Sequence, residues 1–144
     1  DGLKYSQKVA LSGESWDFGK VVLSWQDALE GAKIPDDGHN VVIHEFAHQL
    51  DQENGKANGA PILDKGQSYK CWSDVFSAQF EILKRQEKSG SPSLFDYYGA
   101  TNPAEFFAVT SEVFFEQANQ FHTKYPKLYH QLKNYYQVDP VHWR

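Results

Sequence analysis

The stretch at residues 40–51, NVVIHEFAHQLD, decides how the rest of the chain is interpreted, because it places two histidines and a glutamate in an otherwise mostly apolar run. The apolar residues leave little polar face, which predicts a largely buried helix. Burying an imidazole or a carboxylate without a partner costs about 1–3 kcal/mol per group. The side chains of His44, Glu45 and His48 therefore need partners.

The spacing of these side chains is typical of a metal site. In a helix His44 and His48 project from one face, about 6 Å apart. Neutral imidazoles suit zinc, which in catalytic sites takes three protein ligands and keeps a fourth position for water. Glu45, about 100° round the helix axis, can reach that water as a base without binding the ion. This HExxH pattern predicts a zinc hydrolase, and the alternative is a chance match on a solvated helix face.

The third zinc ligand must come from elsewhere in the chain. Metzincins carry a glycine and a histidine at fixed positions after the second histidine, but Asp51 and Asn54 stand there, which excludes that class. Glu105 and Glu112 lie on nearly one face of a later predicted helix, so both are candidates, with Glu105 preferred. Glu105 also has an alternative role in a capping box with Asn102 at the start of that helix.

Asp51 follows the second histidine by one helical turn, and two interpretations of it stay open. Its carboxylate could accept a hydrogen bond from a ligand imidazole and so select the tautomer of that ring. Alternatively, Asp51 is a solvated aspartate at the end of the helix.

Length, charge and cysteine content limit the class of protein. The 144 residues suit a single domain over residues 1–144, and 19 acidic against 14 basic residues predict no direct binding to nucleic acid or anionic membranes. The single cysteine, Cys71, provides no disulfide framework and is predicted to be a core residue rather than a nucleophile. No apolar run approaches the ~20 residues of a membrane span, so a soluble, cytoplasmic protein is expected.

The predicted secondary structure is mixed. Residues 7–12 and 20–25 are rich in β-branched and apolar side chains and are predicted as two strands that could form a hairpin. The HExxH helix is expected to be capped by Asp37 or Asn40 and to end near Gly55, before a long irregular loop that could border the site. Further helices are predicted in WQDALEG, SYKCWSDVFSAQFEILKRQEK, NPAEFFAVTSEVFFEQA and PKLYHQLKNYYQ.

Four blocks of the sequence follow one another along the chain, namely GESW, VVLSW, DDGHNVVIHEFAHQLD and YGATNPAEFFAVTSEVFF. Together they resemble the Mlc titration factor A (MtfA) family of zinc peptidases. In this order they cover nearly the whole chain and are far more specific than HExxH alone. That family is longer at its amino end, and this chain begins at Asp1 and contains no methionine. The chain is therefore expected to be the catalytic core of a longer product, or a truncated relative that lacks the first part of the family.

The resemblance implies an α+β fold, namely a mostly helical gluzincin domain with a small β-sheet, similar to the catalytic domain of anthrax lethal factor. It implies that one zinc ion per chain is bound by His44, His48 and Glu105. It also implies that Glu45 is the general base and acid and that Tyr98 acts on the transition state.

The residues by themselves support Tyr98 less strongly. A phenol on a loop beside a ligand helix can donate to a developing oxyanion. However, Tyr97 adjoins it, and most loop tyrosines only pack against their neighbours.

Three functions are considered. The first is a zinc peptidase, which the resemblance makes aminopeptidase-like; the segment KVVLSW could pair with an extended peptide substrate or be an ordinary internal strand. The second is a regulatory protein that sequesters the glucose-responsive repressor Mlc, after which the resembled family is named. The third is a structural zinc that staples two helices, which would need a fourth ligand. The distant candidates for that ligand are His39, His122, His130 and His142.

Overall fold

The computed structural model describes residues 38–143, and all the regular elements in that range are helices. The α-helices are α1 (Val41–Asp51), α2 (Tyr69–Ser89), α3 (Pro103–Glu116), α4 (Ala118–Lys124) and α5 (Pro126–Tyr136). Single turns of 3-10 helix occur at Gln52–Asn54, Tyr97–Ala100 and Pro140–His142. Within residues 38–143, no helix is both long and apolar enough to cross a bilayer.

The expected α+β class with a small β-sheet is wrong, because the structure is helical and residues 38–143 contain no strand. Apolar side chains in this range recur at helical spacing, so most backbone amides find their partners within their own helix. The strands predicted at residues 7–12 and 20–25, the helix predicted at WQDALEG and the alternative cap Asp37 lie outside the described residues. Pairing of a substrate with KVVLSW stays a prediction.

Helix α1 begins where the sequence predicted, but it ends at Asp51, and only the 3-10 turn after it reaches the predicted end near Gly55. The side-chain oxygen of Asn40 accepts hydrogen bonds from the amides of Val42 and Ile43 and caps the helix. Gly55, with φ of +93°, ends the 3-10 turn that follows. The helix is less buried than expected, since Val41 at its start is 71% exposed. Its buried residues are Ile43, Phe46, Ala47, Leu50 and Asp51.

Helix α3 is the centre of the described structure, since α1, α2, α4 and α5 all contact it. Asn102 caps it and Pro103 lies in its first turn, as predicted. The fully buried rings of Phe107 and Phe114 lie seven residues apart and face α5. Because consecutive residues turn by about 100°, Glu105 projects from the opposite side of α3. The face of α3 that carries Phe107 and Phe114 thus packs into the core, and the face that carries Glu105 is turned towards α1.

Two details of the helices differ from the sequence predictions. The chain turns at Gln117 and forms α4, a helix that was not predicted, which buries Phe121 in the core. Cys71 was expected in the core, but it is exposed. Trp72, the next residue of α2, is buried instead.

Candidate metal centre

Helices α1 and α3 lie side by side in opposite directions. Asn40, before the first turn of α1, contacts Glu112 and Glu116 in the second half of α3. His48, in the last turn of α1, contacts Glu105 in the first turn of α3. This antiparallel pairing brings the histidine face of one helix against the glutamate face of the other.

The three predicted ligands meet between these helices. Nε2 of His44 lies 2.9 Å from Oε1 of Glu105, and Nε2 of His48 lies 3.1 Å from the same oxygen. One ligand atom of each residue lies within 4.8 Å of the other two. The side chains are 12%, 16% and 18% exposed, so the group is shielded but open to solvent on one side.

The chemistry of these donors fits a divalent metal ion. Two imidazole nitrogens and a carboxylate oxygen are a ligand set of catalytic zinc, whereas a closed structural site needs a fourth protein ligand. Among residues 38–143, no further histidine, cysteine, aspartate or glutamate joins the group. The four histidines considered as a fourth ligand are all exposed, namely His39, His122, His130 and His142.

Glu112, the other candidate for the third ligand, takes a different position. Its Oε2 lies 2.5 Å from Nδ1 of His44, and its Oε1 accepts a hydrogen bond of 2.7 Å from the amide of Asn40. Because a carboxylate only accepts, Nδ1 of His44 carries the proton and donates it. With Nδ1 occupied by Glu112, Nε2 is the nitrogen that can give its lone pair to an ion once it has lost its own proton, and it is turned towards Glu105.

The contact of Glu112 with Nδ1 of His44 was not predicted from the sequence, which offered Glu112 only as a ligand. The signal was present, because Glu112 stands seven residues after Glu105 on nearly the same helix face. The spacing alone does not show whether Glu112 binds an ion or orients His44, since either role needs a carboxylate directed at the same imidazole.

Glu45 and Tyr98, the two residues predicted to act on substrate, lie at the solvent side of the group. Glu45 is exposed on α1 beside His44. Tyr98, in the 3-10 turn before α3, is 54% exposed, and its hydroxyl donates a hydrogen bond of 3.3 Å to Oε2 of Glu105. The ring centroids of Tyr98 and His44 are 6.0 Å apart. Adjoining Tyr97 is half-buried.

Residues 1–137 of the chain match the model of a protein family described as glucose-regulated metallo-peptidase M90. The chain belongs to this family. An uncharacterized protein of Synechocystis is 41% identical over 131 residues, which are 90% of this chain and 48% of that protein. Mlc titration factor A from Klebsiella pneumoniae is 38% identical over 142 residues, 97% of this chain and 53% of that protein. The protein of the same name from Escherichia fergusonii is 37% identical over the same shares. The M90 chain thus spans about half the length of these relatives.

The charges of the M90 site are coupled through these contacts. The hydrogen bond to Glu112 raises the pKa of His44, against the opposing effect of burial. Burial alone would raise the pKa of Glu105, but the hydrogen bonds and charges of both histidines lower it. The charge of Glu105 and its hydrogen bond raise the pKa of Tyr98, so this phenol keeps its proton at neutral pH.

The remaining roles considered from the sequence are also resolved by geometry. The side-chain oxygen of Asn102 accepts from the amide of Glu105 at 2.9 Å, while the carboxylate of Glu105 faces the histidines rather than closing a capping box. Asp51 is buried and makes its hydrogen bonds with loop amides, so neither interpretation of it, a partner of an imidazole or a solvated helix end, was right.

Proposed function

We propose that this M90 chain is a zinc-dependent peptidase with aminopeptidase-like activity, which binds one zinc ion and cleaves peptide substrates. The observation that supports this most directly is the convergence of one ligand atom each from His44, His48 and Glu105 within 4.8 Å. That donor set leaves a coordination position for water or substrate. Membership of a metallopeptidase family points in the same direction.

The remaining chemistry is assigned to residues around the ligands. Bound zinc would acidify a water molecule and polarise the carbonyl group of the scissile bond. Glu45, exposed beside His44, would take a proton from the attacking water and deliver it to the leaving amine. Tyr98 would donate its phenolic hydrogen to the carbonyl oxygen of the substrate as negative charge develops there. Glu112 would hold the ring of His44 through Nδ1.

The test measures zinc content and hydrolysis of small chromogenic amino-acid substrates in three variants of the whole chain. Glu45→Gln is expected to keep zinc but to lose at least ~100-fold of the hydrolysis rate, because it removes the general base. His44→Ala is expected to lose zinc. The matched control is Glu53→Gln, which removes one negative charge just beyond α1 and should change neither quantity. Hydrolysis by Glu45→Gln at the wild-type rate would show that the mechanism is wrong.

A second proposal is that the chain binds the transcriptional repressor Mlc. It is supported by the name of the relatives that are 37–38% identical to it, Mlc titration factor A. Both proposed functions, repressor binding and peptide cleavage, would take place in the cytoplasm. A pull-down of purified Mlc with wild-type chain and with Glu45→Gln separates the two proposals. Equal capture by both would support binding without catalysis, and failure of both to capture Mlc would contradict it for this part of the protein.

A further inference from the structure

Asp51 lies at the end of α1 and is fully buried, with 0% of its surface exposed. Its Oδ2 accepts a hydrogen bond of 2.8 Å from the amide of Gly59, and its Oδ1 accepts one of 3.2 Å from the amide of Asn58. A buried carboxylate is costly unless such bonds compensate for lost water. The carboxylate thus ties the loop that follows α1 to the end of the HExxH helix.

Gly59 is the point where this loop meets two other helices. Its carbonyl oxygen accepts a hydrogen bond of 2.9 Å from the indole nitrogen of Trp72 on α2. Its φ is +81°, and a Cβ atom there would lie 2.6 Å from the carbonyl oxygen of Pro103. Only glycine fits this contact, because any side chain would displace either the loop or the first residue of α3.

The contact with Pro103 bears on the metal site because Glu105 lies only two residues further along α3. At the opposite end of the helix pair, Asn40 is already bonded to Glu112 and Glu116. Between the two ends, the helices pack against each other along their length. At the start of α3, the close approach of Gly59 to Pro103 adds a link from this helix end to Asp51 at the end of α1.

We propose that Asp51 and Gly59 are positioning residues that set the distance between Glu105 and the two histidines, and thereby the affinity for zinc. The inference rests on the proposed zinc site. Neither residue belongs to the proposed set of ligands. Each acts by limiting where the first turn of α3 can lie, so that the carboxylate of Glu105 is in place before the ion arrives. Preorganisation of this kind raises affinity by reducing the ordering cost of binding.

The test uses two glycines of the same loop. Gly55 and Gly59 both have positive φ, at +93° and +81°, but a Cβ on Gly55 would meet nothing within 4 Å. Both alanine variants therefore place a side chain at a positive φ and strain the backbone in the same way. Only Gly59→Ala also brings a Cβ atom too close to Pro103. The quantity measured is the dissociation constant for zinc alone, by competition with a chromophoric chelator, on whole chain verified to be folded. Gly59→Ala is expected to bind zinc at least ~10-fold more weakly than Gly55→Ala, as loss of an outer contact to a ligand typically does.

Asp51→Asn provides the second variant. It keeps one acceptor oxygen and loses the other, so one loop amide is left without its partner while the shape of the side chain is retained. Its control is Tyr129→Phe, which loses two part-buried hydrogen bonds, to Asp139 and from the amide of Val141, on the far side of α3, and should lower the melting temperature without weakening zinc binding. Asp51→Asn is expected to weaken zinc binding ~10-fold or more beyond that control.

The outcomes distinguish the two proposals. Weaker zinc binding in Gly59→Ala and Asp51→Asn, but not in their controls, supports the positioning role. Zinc affinity equal to that of the controls, in whichever of the two variants folds, overturns it while leaving the zinc site intact. If wild-type chain binds no zinc, the proposed function fails and the positioning role fails with it.

Discussion

Among individual residues, two carboxylates on α3 divide the two ring nitrogens of His44 between them. Glu105 faces Nε2 of both histidines, whereas Glu112 faces Nδ1 of His44 and the amide of Asn40. Since one imidazole has only two nitrogens, occupation of Nδ1 by Glu112 reserves Nε2 for an ion. The pair therefore determines both the orientation and the tautomer of His44.

This division predicts the effect of Glu112→Gln. The amide can still accept from Nδ1 through its oxygen, but the charge that supports the imidazole is lost, so zinc affinity should fall ~10- to 100-fold. Chelator competition measures it. Glu116→Gln is the matched control: it removes the same charge one turn further along α3, where the carboxylate bonds the side chain of Asn40 rather than a histidine. Equal losses in the two variants would mean that net charge, not the contact with His44, matters.

The position of Tyr98 predicts a defect in turnover rather than in metal binding. Tyr98→Phe removes a hydroxyl that lies 3.3 Å from Glu105, and loss of one oxyanion donor typically lowers kcat ~100-fold or more. Zinc content should stay at one ion per chain. The control is Tyr97→Phe at the adjoining, half-buried ring. A Tyr98→Phe chain that turns over normally but loses zinc would assign this phenol a structural role instead.

At the scale of elements, the first turn of α1 joins the helix to its partner. The side-chain oxygen of Asn40 caps α1, its side-chain nitrogen donates to Glu116 at 2.9 Å, and its amide donates to Glu112. One residue thereby satisfies the free amides at the helix start and attaches that start to α3. At the other end of α1, the carboxylate of Asp51 accepts hydrogen bonds from the amides of Asn58 and Gly59 and so holds the loop that follows the helix.

Loss of this cap is expected to be measurable in unfolding. Asn40→Ala should lower the free energy of unfolding by about 0.5–2 kcal/mol, because two amides of the first turn lose their acceptor. Asn40→Ser retains a capping oxygen and should recover most of that loss, although it cannot reach Glu116 as the amide does. Denaturant titration of the three chains compares them. If serine were as destabilising as alanine, the contact with Glu116 rather than the cap would dominate.

At the scale of the whole molecule, a core of aromatic rings sets the rotation of α3. Phe107 stacks on Tyr136 with ring centroids 6.4 Å apart, and Phe114 packs on Tyr129 at 5.0 Å. Both phenylalanines lie on the side of α3 away from Glu105. Packing of this face against α5 thus fixes which side chains α3 presents to α1, although no ring of α5 belongs to the metal site.

The buried phenols of α5 predict a loss of stability in alkali. Burial raises the pKa of Tyr129, Tyr135 and Tyr136, and the hydrogen bond to Asp139 raises that of Tyr129 further. An acid whose folded pKa is raised stabilises the fold fully below its unfolded pKa, here about 10, and this contribution is lost as pH rises above that value. Melting temperatures should therefore be level up to about pH 9 and fall above about pH 10.

The same experiment has an internal control. Tyr129→Phe has no phenol to ionise at that position, so its melting temperature should decline less steeply above about pH 10 even if it starts lower. An equal decline in both chains would show that other groups, such as lysines that lose their charge, cause the alkaline unfolding.

Local sequence was enough to predict the helices with clear boundaries and the residues that could bind metal. Asn40, Gly55, Asn102 and Pro103 have local preferences that do not depend on the rest of the fold, so the start of α1, the end of the 3-10 turn after it and the start of α3 were predictable. The same holds for the pair at i and i+4, His44 and His48, because helix geometry places both on one face.

The contacts that these side chains make depend on how the helices pack together. The α+β class was wrong, and so were the burial of Cys71 and both interpretations of Asp51, because each depends on which elements pack together rather than on local pattern. Glu105 and Glu112 are equivalent along the helix, and they differ only because antiparallel α1 offers Nε2 to one and Nδ1 to the other. Spacing places a residue on a face, but the direction and offset of the neighbouring helix are set by the packing of the whole core.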